Sequence, residues 1–216
     1  LGAAASRATV IPHGSYAGWY RDDVSRDEAR ARLGLPPDAR VLLAFGQIRP
    51  YKALAPLLHA VRALDAPDVH LVIAGRPADA ATGDMLERLV AELADPRLHL
   101  HLGHVPDDEV QLYFRACDLV VLPYRRILTS GAAVLALTFG RGLVVPRLGC
   151  LTELESDGCA LAFDANDDAS LAATLAAALE ADAAALGVNA RRRAARLGWD
   201  GIAAAYARVY AGAPAA

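Results

Sequence analysis

The sequence predicts a doubly wound α/β fold, a parallel sheet with helices on both faces, followed by a helical carboxyl-terminal tail. Three observations carry that prediction. Short runs rich in Val, Leu and Ile recur along the first 165 or so residues, amphipathic stretches of helical length separate them, and from Asp167 onward the pattern turns all-helical. Repeated β-α-β order with strands of four to eight residues builds a parallel sheet, whose crossovers cover both faces.

The elements follow in order. "VLLAFG" (41–46) is the first strand and "ALAPLLHAVRAL" (53–64) the first helix with clear apolar spacing. "VHLVIAG" (69–75), "LHLHLG" (98–103), "LVVLPY" (119–124) and "LVVPR" (143–147) are further strands. "GDMLERLVAELA" (83–94), "DDEVQLYFRAC" (107–117) and "SGAAVLALTFG" (130–140) are the helices between them, and "ALAFD" (160–164) adds an edge strand. The tail reads as "DDASLAATLAAALEA", "NARRRAARLG" and "WDGIAAAYARVYAG", where abundant alanine signals helix propensity rather than low complexity. No repeat of 20 to 50 residues is visible.

Composition narrows the function. At 216 residues, 55% hydrophobic and 22% charged, with formal charge −3, the chain can bury a full core in one large domain. Mild acidity argues against charge-driven adhesion to nucleic acid, so any anion site must be local. Cys117, Cys150 and Cys159 show neither metal-ligand spacing nor a disulfide framework, which suits a reducing compartment and makes the cytoplasm the expected location. The apolar runs are too short for a membrane span, and "LGAAASRATV" lacks the pattern of a signal peptide. A chain opening on Leu1 is expected to be a fragment or a processed product.

Doubly wound sheets bind ligands at the carboxyl ends of their strands. Lys52, the only lysine beside twenty-one arginines, follows "VLLAFG" and the connection "QIRPY", and is expected to open the next helix. There a compact ammonium and free helix amides can face one phosphate, with Arg49 as a second charge. A solvated helix-start lysine is the plainer alternative. Thr129, Ser130 and Gly131 stand directly before the helix at 130–140, where Ser130 can cap the helix and Gly131 leaves backbone amides bare for an anion. Arg125 and Arg126 lie just upstream. In "RLGCLTELE" (147–155), Gly149 ends a strand and Glu153 is expected either to cap a short helix or to bond a sugar hydroxyl.

Other chemistries fit less well. The sequence holds no Walker phosphate loop and no complete G-x-G-x-x-G, since "GRG" (140–142) is too short and follows a helix. His99, His101 and His104 lack an acidic or cysteine partner at ligand spacing, so no metal is expected. "RRR" (191–193) reads as a solvated helix face. His13, in "VIPHG", is either a turn residue beside Gly14 or a group reaching a cleft.

The order "VIPHG", strand-Gly-x-x-x-x-x-Lys, "LVIAGRP", "LGHVPDDEVQLYFRACDLVVLPY", "SGAAVLALTFGRGLVVPRLG", "LTELE" and "WDGIAAAYARVY" resembles the carboxyl-terminal half of group 1 glycosyltransferases, GT-B enzymes close to family 4. The resemblance covers nearly the whole chain. It implies a Rossmann-like donor domain that binds a nucleotide-diphosphate sugar without a metal, beside an amino-terminal acceptor domain not found in these 216 residues. On that basis residues 1–14 are an interdomain linker, 15–198 the donor domain and 199–216 a crossing helix and tail. Peripheral contact with the inner membrane face would come through the missing domain.

The resemblance also implies roles. Gly46, Arg49 and Lys52 fall at the donor diphosphate, Ser130 and Gly131 supply helix-start amides to its distal phosphate, Glu153 lies near the sugar, and Arg76 and Val105 fall in the nucleobase region. Two departures stand out. Gln47 occupies the place of a family arginine, and Ile127 and Leu135 replace a glutamate pair, eight positions apart, that contacts sugar and ribose. No catalytic residue is assigned. The expected function is the donor-binding half of an enzyme that moves a sugar to a glycan or glycolipid. The alternatives are a non-catalytic nucleotide-binding module and a GT-B sugar-nucleotide epimerase, which would need more acid–base groups than Glu153.

Overall fold

The computed structural model describes residues 9–211. The outer parts of the expected linker (1–8) and tail (212–216) lie outside the described residues. Six parallel strands, β1 (Arg40–Phe45), β2 (Val69–Gly75), β3 (Leu98–Leu102), β4 (Leu119–Val121), β5 (Gly142–Pro146) and β6 (Ala160–Phe163), form one sheet in the order β3-β2-β1-β4-β5-β6. The chain works outward from β1 through β2 to β3, then returns to β4 on the other side of β1. That reversal opens a crevice between the carboxyl ends of β1 and β4, the switch point where such sheets take ligands.

Alternation along β1 shows how the sheet is covered. Val41 and Leu43 face one core with α1 (Arg26–Arg32), α4 (Val110–Ala116), α5 (Gly131–Thr138) and α8 (Ala183–Ala195). Leu42 and Ala44 face the other, with α2 (Leu54–Arg62), α3 (Ala80–Leu93) and α7 (Asp168–Glu180). Each fully buried leucine contributes roughly 1.5–3 kcal/mol, so both faces are needed to stabilise a sheet of this size. The short α6 (Thr152–Ser156) and α9 (Trp199–Tyr210) complete the chain.

Several boundaries differ from expectation. α1 was not foreseen: Ser25 caps it by accepting from the Glu28 amide, Asp27 and Glu28 sit in its first turn, and Gly34 takes a left-handed φ of +68° just beyond it. The strand expected over 119–124 ends at Val121, with one further bond from the Leu122 amide to Val144 O at 2.9 Å, because Pro123 cannot donate to a ladder. The helix expected from residue 83 begins at Ala80, capped by Asp79, which accepts from the Thr82 amide. α8 starts at Ala183 under the Asp182 cap rather than at Asn189.

The two ends of the described chain meet. Ser15 donates its amide to Leu197 O at 2.8 Å, and the Trp199 indole donates to Ser15 O at 2.8 Å, so the segment before α1 is tied to the start of α9. On α9 only Ile202 is buried. Tyr206 and Val209 are half-exposed and Tyr210 is 86% exposed, so the apolar stripe they form with Ile202 is largely uncovered.

Candidate functional site

Lys52 sits at the switch point, but not as expected. Pro50–Lys52 form a single 3₁₀ turn, Ala53 takes a left-handed φ of +47°, and α2 begins only at Leu54. Proline favours this tight turn, and the reversal at Ala53 turns the chain away, so the lysine does not open the helix. Its side chain runs back under the carboxyl end of β1 instead. It is 8% exposed, and its ammonium donates to Phe45 O at 3.1 Å and lies 5.4 Å from the centre of the Tyr124 ring.

A cation so placed is costly. Burial, with the charge of Arg49 second, pulls the Lys52 pKa down to about 8, and no carboxylate pairs with it among the described residues. One carbonyl and one ring face do not replace the hydration of an ammonium. An incoming anion would.

Tyr124 links this lysine to the second expected element. Burial pushes its phenol pKa well up, partly opposed by the nearby Ser130 hydroxyl. Ser130 caps α5 by accepting from the Ala133 amide at 3.1 Å, as the sequence predicted. The amides of Gly131 and Ala132 have no acceptor within the helix and carry its positive end. The structure therefore brings Lys52, Tyr124, Ser130 and Gly131 to one place.

Gly46 and Gly75 shape the floor. A Cβ on Gly75, at φ +145°, would stand 2.2 Å from Gly46 O, so only glycine lets β2 end against β1 here. A cleft of about 280 Å³ opens beside them, lined by Phe45, Gly46, Gly75, Arg76, Val105 and the Tyr20 ring among others. The expected nucleobase residues Arg76 and Val105 thus share one hollow, at the ends of β1, β2 and β3.

The remaining expected residues are placed as follows. Arg49 is exposed, and its guanidinium donates to Gln47 Oε1 at 3.1 and 2.9 Å, so the residue in the family arginine's place holds the neighbouring arginine. Arg125 is paired with Asp168, whose carboxylate takes up its charge. Glu153 makes no capping bond in α6; its carboxylate accepts from Arg193 at 2.9 Å. Capping of α6 by Glu153 is thereby corrected: α6 begins at the residue just before it, and Arg193 on α8 draws the carboxylate away. Ile127 is partly buried in the core and Leu135 is buried, so neither position of the missing glutamate pair is a polar site. His99 shares a hydrogen bond of 2.9 Å with His70, and His101 one of 3.2 Å with the Tyr113 hydroxyl. Among the described residues no group of three His, Cys, Asp or Glu could hold a metal ion. Sequence reasoning missed Tyr124, although an aromatic closing the apolar run "LVVLPY" six residues before Ser130 was a readable signal.

Comparison with known proteins decides the family. The model of the glycosyl transferases group 1 family matches residues 25–195. The chain belongs to that family. Among curated relatives, a GDP-mannose:glycolipid 4-beta-D-mannosyltransferase of Xanthomonas campestris is 32% identical over 165 residues, covering 75% of this chain and 44% of the relative. A D-inositol 3-phosphate glycosyltransferase of Thermobispora bispora is 34% identical over 215 residues, covering 94% of this chain and 50% of the relative. This group 1 chain thus spans about half the length of the curated relatives it matches. Among solved structures, a sucrose-phosphate synthase from Thermosynechococcus elongatus superposes with a TM-score of 0.80 at 24% identity, over 94% of this chain and 52% of that one. Anabaena Alr3699/HepE, solved with UDP-glucose, gives 0.80 at 18% identity, over 94% and 57%. These likenesses establish that the group 1 chain has the Rossmann-like fold of a GT-B carboxyl-terminal domain.

Proposed function

We propose that this chain is the donor-binding half of a glycosyltransferase, taking a nucleotide-diphosphate sugar and delivering its sugar to a glycan or glycolipid acceptor. The observation that carries the proposal is the buried Lys52 ammonium, without a carboxylate partner among the described residues, beside the capped but open start of α5. A diphosphate seated between them neutralises the lysine and receives the helix amides. As the sugar–phosphate bond breaks, negative charge grows on the distal phosphate, and the same donors bind it more strongly in the transition state than in the ground state. The lysine and helix dipole supply that stabilisation without a metal. The acceptor and any general base come from outside these residues. The name of the Xanthomonas relative, with GDP-mannose as donor and a glycolipid as acceptor, supports this substrate class.

Calorimetry with UDP, GDP and ADP against their nucleosides tests the proposal. At least one diphosphate is expected to bind far better than its nucleoside, and Lys52→Ala to remove about 1.5–3 kcal/mol of that difference. Equal binding of every diphosphate and its nucleoside would overturn it.

A further inference from the structure

The segment before α1 also borders the donor crevice. Tyr20 lines the hollow beside Arg76 and Val105, while Tyr16 reaches the start of α5. A Cβ built on Gly131 would stand 3.0 Å from the Tyr16 hydroxyl, which places that hydroxyl against the first residue of the helix.

Tyr16 is held there from both sides. Its amide donates to Thr138 Oγ1 at 3.1 Å, and that hydroxyl donates to Val134 O at 2.8 Å, so the tyrosine is pinned to α5 itself. The bonds of Ser15 to Leu197 and Trp199 fix the preceding residue. The phenol tip, by contrast, is weakly engaged. Its one hydrogen-bond partner among the described residues is His13 Nε2 at 3.5 Å, at the outer limit for a hydrogen bond. His13 Nδ1 lies 2.7 Å from Gly14 O, which can only accept, so Nδ1 carries the ring hydrogen and a neutral ring leaves Nε2 as an acceptor.

We infer that Tyr16 is a third donor to the distal phosphate, its phenol completing the site that Lys52 and the α5 amides begin. The inference rests on the donor-site reading above, and its warrant is the convergence of two features. Lys52 is a charged side chain more than nine-tenths buried whose only hydrogen bond among the described residues is to a carbonyl, so this crevice calls for an anion. The Tyr16 hydroxyl is a neutral donor fixed at the helix start by its own backbone bonds, with only a weak acceptor of its own. A phosphate oxygen at the Gly131 amide would be a better acceptor than His13 at 3.5 Å. Gly131 then has two duties, offering a bare amide and leaving room for the phenol.

The test compares the full chain with Tyr16→Phe and Gly131→Ala in calorimetric titrations of the nucleoside, monophosphate and diphosphate of whichever base binds. Tyr16→Phe is expected to weaken the diphosphate about 10-fold, the size of a hydrogen bond to a charged group, while leaving nucleoside and monophosphate binding and the melting temperature within twofold and a degree or so of the parent. In Gly131→Ala, where the new methyl displaces the phenol, the further loss on adding Tyr16→Phe is expected to shrink below threefold. A purely structural tyrosine would move all three ligands or the melting temperature together. A Tyr16→Phe chain that binds diphosphate as the parent does overturns the inference and leaves the donor site standing; a parent that does not prefer diphosphate over nucleoside overturns both.

Discussion

The two ends of the crevice at the carboxyl ends of the strands are built differently. At the proposed phosphate end Lys52, Tyr124 and Ser130 are 8%, 3% and 7% exposed, with Lys52 bonded to the end of β1, Ser130 to the start of α5 and the Tyr124 ring facing the lysine. At the other end Arg76 and His104 are exposed side chains on loops, and only the backbone near Gly46 and Gly75 is tightly constrained. On the proposed donor-site reading, phosphate recognition would be part of the core, so that changing it disturbs the fold, whereas recognition of the base would rest on surface residues that can change at little structural cost. The positions of the missing glutamate pair fall on the core side of this divide, as Ile127 and Leu135.

The strongest way to break that contrast is to restore a carboxylate. Leu135→Glu places a charge in the core cluster that holds Leu135, and is expected to cost upwards of about 3 kcal/mol in urea unfolding, with Ile127→Glu costing less because Ile127 is only partly buried. Leu135→Glu folding as stably as the parent would mean that position belongs to the open end after all.

Next in size is the cost of Lys52 itself. The unfolded lysine titrates near 10.5 and the folded one near about 8, so between those values the unfolded chain holds the proton more tightly. The penalty is complete below about pH 8 and disappears above about 10.5. Lys52→Met is therefore expected to be more stable than the parent at pH 7 by on the order of 2–3 kcal/mol, the gap closing as pH rises through that window. Burial holds the Cys159 and Cys117 thiols up at about 11 and about 12, but both chains share them, so the difference isolates the lysine. A gap independent of pH would show that packing, not charge, sets it.

The smallest effect sharpens the contrast from the open end. Arg76→Ala is expected to shift the relative affinities of UDP, GDP and ADP by less than about 1 kcal/mol and to leave the advantage of diphosphate over nucleoside intact, as measured in the same titrations. Loss of that advantage would put Arg76 in the phosphate site.

Much of the proposed phosphate end, as a cluster of residues, was legible because its signals are local. A strand ending in glycine, a lone lysine six residues on, and Ser-Gly before an alanine-rich helix are each read within ten residues. The left-handed Ala53 was not legible, since no glycine or asparagine marks it, and that one φ decides whether Lys52 opens a helix or turns under the sheet. Tyr16 was out of reach for another reason: its partner Thr138 is 122 residues away, and only the closed fold brings them together. α1 was readable from Ser25, its acidic first turn and Gly34, yet it breaks no β-α alternation and so draws no attention.

The placement of Lys52 has a practical consequence. It is the one amine-bearing side chain in the sequence, and with a pKa near about 8 it spends an appreciable fraction of its time as free base at neutral pH. Reagents that acylate or reductively alkylate amines therefore meet one side-chain target, reached through the crevice. A single added mass on that residue becomes a counter of empty sites, and its rate of appearance records how often the crevice admits solvent.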